Sequence, residues 1–248
     1  MENAFLVGLS RQAALRRELD VIANNVANLN TSGFKADGTV FEEFMMPKAR
    51  GNQFAGSNRN VSFVADRATW HDMRQGSVQQ TGNPLDIAID GKGFLTVETP
   101  RGERFTRNGA LQINAGGEPV TSEGHRVLGD SGPIVLQSGD RDISFARDGS
   151  VSVAQGSRGK VRLVEFAEPG RLQKDAATTF AAPNGVAPQA AAASTVVQSS
   201  VEKSNVTGVV EMTRLIEVTR TYTNVAQMME KHGDLRRSAI ERLADVPT

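Results

Sequence analysis

Apolar side chains near the start of the chain fall at Leu15, Leu19, Ile22, Val26 and Leu29, in steps of four, three, four and three. That spacing is a heptad seam, narrower than the face of an ordinary amphipathic helix. It predicts a helix over residues 3–29, extended toward the N-terminus by Phe5 and Leu9, with Gly33 placed to stop it. A second seam runs through Met212, Leu215, Val218, Tyr222, Val225 and Met229 near the other end. Its helix has Glu211 in the first turn and Arg236, Arg237 and Arg242 toward the end, which suits the helix dipole. Between the seams the period changes from seven to two. Leu85, Ile87 and Ile89 alternate with Asp86, Ala88 and Asp90, which predicts a strand with one apolar and one solvated face. Asp90-Gly91, Asn108-Gly109 and Asp148-Gly149 cut the middle of the chain into short runs, as hairpin turns do. Further strands are expected at 134–136, 143–145, 151–153 and 161–166.

These patterns predict an α+β chain whose terminal α-helices pair as a coiled coil around a central antiparallel β domain. The expected divisions are an N-terminal helix in 1–36, an extended connecting segment in 37–80, the β domain in 81–180, a linker and return strand in 181–206, and a C-terminal helix in 207–248. The linker follows from the Ala/Pro-rich run at 181–193. Within 37–80, FEEFMMP at 41–47 is expected as a short docking segment and the polar residues 48–60 as a loop.

The first seam is unusual in its asparagines, at 24, 25, 28 and 30. Asn is a poor helix-interior residue because its amide competes with the backbone for hydrogen bonds. Either the helix frays there, or the amides bond to neighbouring chains without the cost of burying a charge. Two heptad helices with so few large apolar residues are marginal as an isolated pair. The residues expected at an assembly interface are therefore Leu15, Leu19, Ile22, Asn24, Asn25, Val26, Asn28 and Leu29 in the first helix, with Met212, Leu215, Val218, Tyr222, Val225 and Met229 in the last.

Composition narrows the partners. Lys and Arg together number 28, as do Asp and Glu, so no net charge draws the chain to nucleic acid or an anionic membrane. A hydrophobic content of 39% with 24 glycines favours a turn-rich β body carrying partner-dependent segments. Cysteine is absent, which removes disulfides, thiolate metal sites and cysteine nucleophiles. The first twenty residues lack a basic n-region ahead of an uninterrupted apolar stretch, so no Sec signal peptide is expected. No apolar run approaches the ~20 residues that a membrane span needs, and no direct membrane insertion is expected.

Candidate chemistry is sparse. Gly129-Asp130-Ser131-Gly132-Pro133 resembles the nucleophile loop of chymotrypsin-like proteases, but a triad also needs a positioned His and a buried Asp. His71 and His125 are the upstream candidates and neither has a catalytic setting, so a turn between strands is the better reading. Gly91-Lys92-Gly93 lacks the third glycine of a dinucleotide fingerprint. Asp86 and Asp90 would lie about 13 Å apart along a strand, too far for a carboxylate pair in glycoside hydrolysis. The three histidines lack metal-ligand spacing. No catalytic residue, cofactor or metal is expected, and the N-x-S/T triplets at Asn30, Asn60 and Asn205 read as incidental.

Several stretches together resemble the bacterial flagellar rod and hook proteins. Asn24-Asn25-Val26-Ala27-Asn28 followed by Thr31-Ser32-Gly33-Phe34-Lys35 is similar to the N-terminal signature of that family. TGNPLDIAIDGKGF, FTRNGALQIN, GEPVTSEGHRVLG and GKVRLVEFAEPGRLQKDAATTF, beginning at 81, 105, 117 and 159, follow in the family's order. SNVTGVVEM from Ser204 resembles its closing motif, with Thr207 and Gly208 where an Asn and a Pro are common. Residues 61–86 and 41–47 look most similar to the proximal rod subunits. The resemblance implies terminal helices that line an inner tube with a β domain outside it, and a structural role in transmitting torque across the periplasm. It implies partnership with other flagellar rod subunits, with copies of itself and with the flagellar type III export machinery, through which subunits leave without a cleaved signal.

Overall fold

The computed structural model describes residues 2–46, 61–137, 139–140 and 142–244. The loop expected at 48–60 and the end of the docking segment at Pro47 lie outside the described residues. The chain divides into two compact units: a helical unit of residues 1–26, 37–70 and 208–248, and a β-rich unit of residues 27–36 and 71–207. Helices and sheets together make the chain α+β.

The helical unit contains α1, Glu2–Ala27, and α2, Gly208–Ala244, with the strands Asp37–Met46 and Val61–His71 paired as a two-stranded sheet. The α1 helix closes two residues before its expected end. Asn28 takes over there: its carbonyl accepts from the Thr31 amide at 3.2 Å and its side-chain oxygen from the Thr31 hydroxyl at 3.0 Å. This local bonding competes with the next helical turn and leaves Leu29 outside the helix.

In the β-rich unit, ten antiparallel strands form one sheet. Its centre is Phe94–Thr99, flanked by Gly102–Thr106 and Arg126–Gly129. Side chains alternate across the central strand as the pleat requires. Leu95 and Val97 enter a core with Ile87, Ile89, Val127, Val151 and Val196. Phe94, on the opposite face, joins Phe105, Phe166 and Phe180. These rings meet edge to face, with centroids 4.8 Å apart for Phe105–Phe166 and 5.9 Å for Phe94–Phe166. Such pairs contribute about 0.5–1.5 kcal/mol each beyond their burial.

Four sequence expectations change here. The strand Ile87–Asp90 is buried at Ala88 as well as at Ile87 and Ile89, and Thr195–Gln198 pairs beside it in register. Asp86 is not on a solvated face: it is buried and accepts from the Thr81 hydroxyl at 2.7 Å and the Asn83 amide at 3.0 Å. Ile134 and Leu136 enter the core without forming a strand of their own; the Leu136 amide instead donates to the Gly117 carbonyl at 2.7 Å. Residues 181–206, expected as linker and return strand, supply three strands to this unit: Gln189–Ala190, Thr195–Gln198 and Ser200–Glu202. Only Gln189–Ala190 lies in the Ala/Pro-rich run, whose small side chains give no period-two pattern.

Candidate assembly interface

The two helices meet within the helical unit. Gly8 is the close-approach point, since a Cβ there would stand 3.1 Å from Cγ of Met229. The guanidinium of Arg214 donates to Oε1 of Glu18 at 2.7 Å. Contacts 8 to 229 and 18 to 214 run in opposite directions, so α1 and α2 are antiparallel where they touch. Arg214 is half exposed, and the ion pair contributes at most about 1 kcal/mol.

Of the expected interface residues, Ile22, Val218 and Val225 are buried, and Leu15, Leu19, Val26, Leu215, Tyr222 and Met229 are half-buried. Leu29 and Asn28 are half-buried beyond the helix, and Asn24 faces outward. Asn25 behaves differently from the reading in which its amide reaches a neighbouring chain. It is buried, its Nδ2 donates to the Asp37 carbonyl at 2.8 Å, and its Oδ1 accepts from the Asp37 amide at 2.9 Å. An amide can satisfy a backbone donor and acceptor at once, which explains an Asn at a position where helix propensity disfavours it.

Met212 also departs from the seam. At 54% exposure it lies with Val209 and Ile216, 79% and 62% exposed. At 100° per residue these three form a row about 160° round the helix from the midpoint of Val218 and Val225. Leu6 and Leu9 on α1 are likewise half exposed. Exposed large apolar residues in a row mark a contact surface more strongly than scattered ones do. The 3-3-4 steps that link Met212 to the seam in sequence conceal this second row.

The second half of the N-terminal motif lies inside the β-rich unit. Gly33, at φ 70°, donates its amide to the Glu202 carbonyl at 2.7 Å. A Cβ on Gly33 would come within 2.3 Å of the backbone at Arg107 and Asn108, so both conformation and space require glycine. Phe34 and Lys35 are fully buried. The Phe34 ring lies 3.8 Å from Nζ of Lys174, a cation–π contact. Nζ of Lys35 donates to Oε1 of Glu202 at 2.5 Å and to the Arg74 carbonyl at 2.7 Å. Nη1 of Arg107 donates to Oε2 of Glu202 at 3.1 Å. One buried carboxylate therefore holds two buried cations, together with the Gly76 amide at 3.0 Å.

Burial holds the Lys35 ammonium below its ordinary value of 10.5, and its attraction to Glu202 offsets this only in part. Burial likewise lowers Arg107. For Lys35 the sign of the pH effect is fixed. Between its lowered native value and 10.5, the unfolded chain binds more protons than the native one, so stability rises with pH across that window. Urea denaturation at stepped pH should therefore show wild type gaining on Lys35→Met as pH climbs toward 10.5. A gap that closes over the same range would refute the assignment.

The residues weighed for chemistry are placed in structural roles. Gly132 and Pro133 fold back antiparallel on Gly129 and Leu128, with Ser131 exposed at the turn. His125 lies 3.4 Å from Glu123, and His71 packs edge-on against Phe180. Among the described residues, no group of three or more His, Cys, Asp or Glu side chains could hold a metal, and no helix is long and apolar enough to cross a membrane.

Three family descriptions match successive parts of the chain: flagella basal body rod protein over residues 5–35, flagellar hook protein FlgE/F/G D1 domain over 88–153, and flagellar basal body rod FlgEFG protein C-terminal over 197–242. The chain is 38% identical to the flagellar basal-body rod protein FlgF of Caulobacter vibrioides, across 99% of this chain and 100% of that protein. It is 36% identical to FlgF of Mesorhizobium japonicum over 98% of both. Against the rod protein FlgG of Bacillus subtilis it is 31% identical over 70% of this chain and 71% of the other.

Proposed function

Since the chain belongs to the FlgF-like flagellar basal-body rod proteins, we propose that it builds part of the proximal rod, with α1 and α2 pairing as a coiled coil in a shared inner tube. It is a structural subunit of the flagellar basal body, not an enzyme, and assembles with other rod subunits. The finer reading is that it also contacts copies of itself in a helical, non-closing repeat. It reaches the periplasmic rod through the type III export machinery and transmits torque there. The interface residues include those of the two seams and the outward-facing Val209 and Ile216. The observation that supports this reading is the pair of apolar surfaces on α2: one is buried at Val218 and Val225, on the side that carries Met229 against Gly8 of α1, and the other presents Val209, Met212 and Ile216 outward. A helix with apolar residues on two sides fits a site between neighbours better than the surface of a monomer.

The 38% and 36% identity to the two FlgF proteins, against 31% to the Bacillus FlgG, supports the proximal over the distal position. Deleting the gene and imaging basal bodies tests it. Arrest before the distal rod is the expected result, and arrest after a completed proximal rod would favour the distal reading.

A further inference from the structure

Three segments of the β-rich unit, 33–36, 72–77 and 202–205, lie close in sequence to the points where the chain passes to the helical unit, at 36/37, 70/71 and 207/208. They are laced to one another. The Asp72 amide donates to the Ala36 carbonyl at 2.8 Å, and the Lys203 amide to the Ser77 carbonyl at 2.9 Å. Lys35 and Glu202 add the buried bonds described above.

The centre of the lacing is the side chain of Asn205. Its Oδ1 accepts from the Ala36 amide at 2.8 Å, and its Nδ2 donates to the Asp72 carbonyl at 2.7 Å and the Arg74 carbonyl at 3.0 Å. Its own amide donates to the Phe34 carbonyl at 3.4 Å. One planar amide thus uses an acceptor and both donor hydrogens on two separate strands of backbone. A carboxylate of the same shape can only accept, and a hydroxyl has a single hydrogen to donate, so neither reproduces the set.

We propose that Asn205 is a positioning residue for assembly: it locks three of the four chain exits of the β-rich unit into one body, so that α2 and the strands Asp37–Met46 and Val61–His71 start from fixed points. The inference rests on the rod-subunit reading. Asn205 is only half-buried and outside both hydrophobic cores, so its loss should spare the fold of the unit.

The test uses the full chain carrying Asn205→Ala or Asn205→Asp. Purified variants should keep a cooperative urea transition with a midpoint near that of wild type. In Asn205→Ala, amide exchange at Ala36 should accelerate on the order of 10-fold, the equivalent of one lost hydrogen bond, whereas Asn205→Asp keeps that acceptor and loses the two donors to Asp72 and Arg74. Introduced into a deletion strain, both variants should be incorporated into basal bodies at least about 10-fold less than wild type. Normal incorporation, unchanged exchange at Ala36 in Asn205→Ala, or loss of the cooperative transition would each overturn the inference, the last because it would make Asn205 a residue of the fold. If wild type itself fails to restore rods, the rod-subunit reading fails, not the role of Asn205.

Discussion

Glu202→Ala is expected to cost the β-rich unit about 3–5 kcal/mol, the penalty for stripping the partner from buried charge. Lys35 and Arg107 are both buried, and both direct donors at this carboxylate. Removing it leaves two cations in a site built around one anion. For a unit of this size the loss corresponds to a fall in melting temperature of roughly 6–20 °C. The effect should be unequal around the cluster. Lys35→Met removes one of two cations and leaves Arg107 paired with Glu202, so it should cost far less than Glu202→Ala. What makes a lone deletion costly is the uncompensated charge left behind, and here the Arg107–Glu202 pair stays intact. Circular dichroism melts of the two variants check the order. Equal losses would mean that the site acts by packing volume and not by charge balance.

The second large effect concerns assembly. Met212→Asp with Ile216→Asp should leave the monomer's stability within about 0.5 kcal/mol of wild type, because both side chains are exposed in the isolated chain. Burying each would contribute about 1.5–3 kcal/mol at a contact. Losing both therefore weakens association on the order of 100-fold or more, before counting the cost of a buried carboxylate. Quantifying the variant's incorporation into basal bodies against wild type gives the answer. Undiminished incorporation would show that the Val209–Ile216 row faces solvent in the rod.

What the sequence revealed follows from the range of each signal. Local periodicity located both helices, and the dipeptide turns at Asp90-Gly91 and Asn108-Gly109 framed the central strands. Contacts between distant residues were not legible. Lys35 and Glu202 are 167 positions apart, and Glu202 sits in a polar run with nothing to distinguish it from a surface acid. Asn25 could be singled out as an anomaly, but only the position of Asp37 shows that its amide is used inside the chain. Thr31-Ser32-Gly33-Phe34-Lys35 looks continuous with the helix motif before it, yet it belongs to the β-rich unit. Nothing in the residue types marks that change, because Gly33 terminates helices and permits close backbone approach equally well.

The bond between Lys35 and Glu202 also bears on the order in which the polypeptide folds. Glu18 and Arg214 are 196 residues apart, and joining them directly means closing a very long ring. Once Lys35 and Glu202 have met, the remaining circuit is about 30 residues, which reduces the entropic cost of closure by roughly 1.7 kcal/mol. Order in the sheet therefore makes the pairing of the two helices cheaper by shortening the loop that the pairing must close.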